Sequence, residues 1–201
     1  MRRLMAYTHN ISGAMFKRPK EAEKTPDYVE PPLFYMFVPD AVGYFITAMP
    51  FAFKKNKLNA VPFVDEWTRD LAMLSINSNI FYWLWCVIGD GFDVPLSNLL
   101  SMVYPNVASD DAQTLQLRDK LMASSDECAT FHSQNGEMIP NYNFNKRMDI
   151  LLDIDDWILK HVAPDLNLPR DIFAQYKSNS FLRPLDLSAI TGAAADLEGE
   201  E

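Results

Sequence analysis

An α+β fold, with short mixed or antiparallel strands packed on a central hydrophobic helix and a helical C-terminal part, is predicted by three observations. Short aromatic segments bounded by Pro, Gly or Asp recur between residues 31 and 64, a composition that favours strands over helices. From Asp65 a helical pattern runs into a stretch, residues 77–92, with the rings of Phe81, Tyr82, Trp83 and Trp85 between an Asn-Ser-Asn opening and a Gly-Asp-Gly stop. So many rings in one run make it interior in any fold. A second helical pattern, Met148, Leu151, Ile154, Ile158 and Val162, lies in the C-terminal half.

Taken in order, residues 1–30 form a basic segment whose Lys-Arg-Pro-Lys-Glu-Ala-Glu-Lys-Thr-Pro-Asp piece reads as an exposed loop. The globular domain is expected over 31–185. Its first strands are expected in Pro31–Asp40, in Gly43–Ala48 and, after the turn Lys54-Lys55-Asn56-Lys57-Leu58-Asn59, in Ala60–Val64. Asp65 caps a helix over Glu66–Ile88, bent near Asn77-Ser78 and stopped at Gly89 or Gly91. Asn77 and Ser78 are expected to bond to buried backbone at that bend. Pro95–Leu100 follows a turn, Gln113–Ala123 is an amphipathic helix, and Ser124–Asn145 is polar and loop-rich. Asn145 caps the second long helix, which Pro164 and Pro169 bound; a short helix over Arg170–Tyr176 and an acidic disordered tail over 186–201 close the chain.

At 201 residues the chain suffices for one domain with a full core. Its longest apolar run, Ile80–Ile88, is far short of the ~20 residues that cross a bilayer, so no membrane partner is expected. Cys86 and Cys128 give no disulfide framework and fit a reducing cytoplasm. The net charge of -9 is unevenly spread: residues 1–57 hold nine Lys and Arg against five acids, net +4, and residues 58–201 hold nine against 22, net -13. A polyanion senses the local patch within a Debye length of ~8 Å, so the balance does not exclude nucleic acid.

Catalytic signatures are missing from the sequence. His9, His132 and His161 are far apart, and there is no Gly-x-Gly phosphate loop, Gly-x-Ser-x-Gly elbow or His-Glu-x-x-His pair. The order of the remaining segments carries more information. Met49-Pro50-Phe51, Lys54-Lys55-Asn56-Lys57, Val61-Pro62-Phe63-Val64, Ile76-Asn77-Ser78-Asn79-Ile80-Phe81-Tyr82-Trp83-Leu84-Trp85 and Gly89-Asp90-Gly91 follow one another, and Leu151-Leu152-Asp153-Ile154-Asp155-Asp156-Trp157-Ile158-Leu159-Lys160-His161 comes later. Over residues 30–180 this order resembles the C-terminal target-recognition region of large DNA adenine-N6 methyltransferases, as in type IIG restriction-modification enzymes and related phage-defence methylases. The chain departs from the pattern at Met36, at Asn79 and at Val162-Ala163-Pro164.

The resemblance implies a non-catalytic DNA-recognition domain or subunit of a restriction-modification system. Its partners would be double-stranded DNA and a methyltransferase catalytic domain or subunit, with SAM bound by that partner and no cofactor in this chain. Lysines and arginines would hold phosphates while amides read base edges. The candidates are Lys17, Arg18 and Lys20 in the first loop and Lys54, Lys55 and Lys57 in the turn, with Asn56 or Asn59 as base readers. The alternative is an acidic protein-interaction module, a DNA mimic or assembly partner that binds no DNA. An enzyme in its own right ranks third.

Overall fold

The computed structural model describes residues 8–18, 30–40, 45–55, 57–88, 93–134 and 136–179. It is an α+β fold with three two-stranded antiparallel sheets among the described residues. Strand β1 (Thr8–Asn10) pairs with β4 (Val103–Pro105), β2 (Phe34–Pro39) with β3 (Leu58–Phe63), and β5 (Ala129–Gln134) with β6 (Glu137–Tyr142). Helix α1 (Ile11–Ala14) follows β1 directly, and Ile11 is fully buried, so part of the basic N-terminal segment folds with the globular core. The expected tail at 186–201 and the glycine stop at 89–91 lie outside the described residues.

The β2–β3 ribbon alternates as a half-buried strand pair should: Met36 and Val38 point inward beside Val61 and Phe63. Both edges are occupied. Phe37 exchanges two backbone hydrogen bonds with Met49, and Phe16 N–H donates to the Pro62 carbonyl, where a proline has no N–H of its own to offer. The segment before Met49 had the aromatic composition of a strand, yet residues 45–48 form none. At Ala48 the backbone groups are taken by a side chain 29 residues away: the Asn77 carboxamide accepts from Ala48 N–H (3.1 Å) and donates to the Ala48 carbonyl (2.9 Å). Ladder groups bonded to an amide cannot also bond to a neighbouring strand.

Helices α2 (Glu66–Asn77) and α3 (Asn79–Ile88) realise the long helical pattern as two axes bent by 67°. Asp65 caps α2 through Thr68, as its position predicted. At the bend Ser78 leaves the helix, donates from Oγ to the Ser75 carbonyl and accepts from Phe81 N–H, so it closes one helix and caps the next. Residues 69–77 are all buried. In α3 the expectation of an interior run holds for Phe81, Tyr82 and Trp85 and fails at its end, where Val87 and Ile88 are more than half exposed. A helix has two faces, and the second face of α3 meets α8 (Ile172–Asn179), through Phe173 against Trp83. No single helix among the described residues is long and apolar enough to cross a membrane.

Helix α4 (Leu96–Ser101) leads to β4; α5 (Ala112–Ala123) is capped by Asp111 and buries Thr114, Leu117 and Leu121. The region expected to be loop-rich holds α6 (Ser125–Cys128) and the β5–β6 hairpin instead. Its turn carries Gly136 at φ +81°, a backbone state that glycine enters without steric cost. Helix α7 (Met148–Val162) follows a 3-10 turn at Phe144–Arg147 whose cap is Asn143, not Asn145: Asn143 Oδ1 accepts from Asn145 N–H (3.0 Å). It packs Ile150, Leu151, Ile154, Trp157 and Ile158 on the α2–α3 pair and α5.

Candidate functional site

The site begins at a buried carboxylate. Asp155 on α7 is fully buried and accepts from the backbone N–H groups of Asn79 (2.9 Å) and Ile80 (3.3 Å) and from Asn79 Nδ2 (2.7 Å). It thereby supplies the anion that the positive N-terminus of α3 favours. This contact joins the two segments that carried the family resemblance, 76–85 and 151–161. Asn79, one of the departures from the pattern, contributes the side-chain half of the joint.

From the same bend Asn77 reaches the other way and clamps Ala48. Thr47 Oγ1 donates to the Tyr142 carbonyl (2.7 Å), and the rings of Phe51 and Phe53 meet Tyr142 edge-on at 6.1 and 5.3 Å. The lysine loop is therefore held at its start by the core and along its length by the end of β6. What it presents follows from this anchoring.

Among the predicted contacts, Lys54 is ion-paired with Glu137 of β6. Lys57 lies 3.5 Å from Asp40, which also accepts from Asn59 Nδ2 (3.4 Å). Asn59 further donates to the Val94 carbonyl, so it is spent on structure inside β3 and not turned toward a ligand. Arg18 forms a forked pair with Glu30 (3.0 and 3.1 Å). Lys17 is exposed. Lys20 and Asn56 lie outside the described residues. Lys55 differs from its neighbours: it donates to the neutral Asn141 amide oxygen (2.9 Å), and burial holds its ammonium below the usual lysine range.

Lys55 and Lys57 face a cavity of about 350 Å³, within the size range of small-ligand sites. The β2–β3 side supplies Asp40, Lys55 and Lys57, with Asp93 beside them, and the hairpin supplies His132, Gln134 and Ile139. Two lysines and two aspartates balance, so the cavity is a hydrogen-bonding site and not a sink for bulk negative charge. The lysine turn was legible in the sequence; the hairpin wall was not, and its one local signal is the Asn135-Gly136 dipeptide between the strands. The N-terminal pair Lys17-Arg18 lies at the other end of β3, near Pro62. At ~3.3 Å per residue the two basic groups are on the order of 16 Å apart.

No cluster of three or more His, Cys, Asp or Glu among the described residues could hold a metal ion. Cys86 and Cys128 are not joined in a disulfide. Compared with protein-family models, curated proteins and solved structures, the chain matches none of them.

Proposed function

We propose that the chain is a non-catalytic DNA-recognition module of an adenine-N6 DNA methyltransferase or restriction-modification system, acting in the cytoplasm beside a SAM-dependent catalytic domain or subunit. One observation carries the reading. The Asn-Ser-Asn bend and the Asp155 helix, the two segments behind the resemblance, together fix the loop that presents Lys55. A buried polar joint of this kind is costly unless every group is satisfied, and here it serves to place the basic turn. Duplex DNA rises ~3.4 Å per base pair, so the separation between the two basic groups corresponds to about five base pairs.

The test is duplex binding as a function of salt. Wild-type protein binds, with log affinity falling linearly against log salt, and the variant with Lys54, Lys55 and Lys57 all changed to Glu does not. Duplex binding absent at 20 mM salt, or unchanged in the triple variant, contradicts the proposal.

The acidic interaction module is favoured by a different observation. Lys54, Lys57 and Arg18 already have carboxylate partners, and Phe131 and Met138 on the hairpin are 62% and 63% exposed. On that reading the triple variant leaves partner binding intact, while Phe131→Ser with Met138→Ser abolishes it.

A further inference from the structure

The geometry points to the β5–β6 hairpin as the element that reads bases, with Gln134 and His132 facing the base edges; this rests on the DNA reading above. A two-stranded ribbon fits the ~12 Å width of the major groove, since its strands lie only ~4.8 Å apart. The hairpin is built for that position. Every residue from Thr130 to Gln134 is exposed, and the series Thr-Phe-His-Ser-Gln is neutral and rich in hydrogen-bonding groups. Its register puts His132 opposite Ile139 and Gln134 opposite Glu137, so both polar side chains stand on the cavity side. Neither is engaged in a side-chain hydrogen bond with another described residue.

Cations bracket this neutral strip. Lys54 and Lys55 bond to Glu137 and Asn141 on β6, and Lys146 reaches only the carbonyls of Glu127 and Ala129 at the hairpin base. The acid nearest the tip, Glu137, is thus neutralised by Lys54. Neutral donors and acceptors in the middle with cations at the rim is the division that base reading and phosphate positioning require. With Asp40 and Asp93 balancing Lys55 and Lys57 the cavity has no net attraction for phosphate, which leaves it to base edges and their exocyclic amines. A carboxamide such as Gln134 pairs bidentately with adenine N6 and N7, so adenine is the base assigned to it.

The experiment is selection from a duplex library with a randomised central segment, using the full chain. Wild type enriches a sequence preference that includes adenine at one position. Gln134→Ala loses roughly tenfold or more of that adenine preference, and His132→Ala relaxes a different position, while both keep wild-type salt dependence and far-UV circular dichroism. Lys55→Ala does the opposite, lowering affinity for every sequence alike. If wild type binds duplex and both hairpin variants enrich the same sequences as wild type, the hairpin does not read bases although the DNA reading stands. If wild type binds no duplex, both fall.

Discussion

At the scale of single residues, the molecule relies on side chains that replace backbone partners. Asp155 satisfies two N–H groups at the start of α3 and the Asn79 amide, the Asn79 contacts buried and the Ile80 contact partly so. Asp155→Ala takes the shared acceptor from three donors, of which the Asn79 amide also contacts Met148 Sδ (3.6 Å), and at 1–3 kcal/mol for a buried orphan, with partial relaxation, a loss of about 3 kcal/mol is expected in urea denaturation. A loss under ~1 kcal/mol would mean that water reaches the bend. Lys55 gives a pH signature of its own. Because burial lowers its folded-state value, it sheds its proton at a pH where surface lysines are still charged, and the attraction for an anion goes with it. On the proposed function, DNA affinity is expected to decline as the pH rises toward the ordinary lysine range, and Lys55→Arg is expected to remove that decline because a guanidinium stays charged. An unchanged profile in the arginine variant would remove Lys55 from the contact.

At the scale of elements, legibility followed the range of the interactions. The bent helix over 66–88 was readable because its signals are local: Asp65 at the cap, the apolar run, and Asn77-Ser78 at the break. Residues 43–48 read as a strand because composition reports only side-chain preference. Of these, Ala48 has both backbone groups bonded by Asn77, a partner that no local window reveals, and residues 43 and 44 lie outside the described residues. The hairpin was lost for the opposite reason. With β5 exposed on nearly all positions it carries no alternation, and only the turn dipeptide marks it. The lysine cluster was found, but its partners Glu137, Asn141 and Asp40 lie 83, 86 and 17 residues from the lysines they meet, so the neutralisation of Lys54 and Lys57 was beyond local reasoning. A prediction belongs to this scale as well. Asn77→Ala frees the Ala48 backbone, and amide hydrogen exchange should quicken across 48–55 more than across α7. Uniform quickening over the whole chain would show that Asn77 supports the core generally and not the loop.

At the scale of the whole molecule, the sequence asymmetry becomes a spatial one only in part. Among the described residues of the segment with net charge +4, Arg18, Lys54 and Lys57 each meet a carboxylate, while Lys17 is exposed. Beside them lies a groove of balanced charge beneath an exposed polar ribbon, with Lys55 bonded there to the neutral Asn141 amide. This arrangement favours weak general attraction and strong dependence on hydrogen-bond complementarity. Exposed ion pairs contribute little to stability, so Lys54 and Lys57 can exchange their carboxylates for phosphates at small cost.

The most direct measurement is the salt dependence of duplex binding for wild type, Lys55→Ala and Lys54→Ala, each checked for an unchanged thermal midpoint. If the lysine turn meets DNA as proposed, wild type binds at low salt, Lys55→Ala lowers the slope of log affinity against log salt by about 0.9, and Lys54→Ala, whose charge is shared with Glu137, lowers it by less. A wild-type protein with no salt-dependent duplex binding, or a Lys55→Ala slope equal to that of wild type, would contradict it.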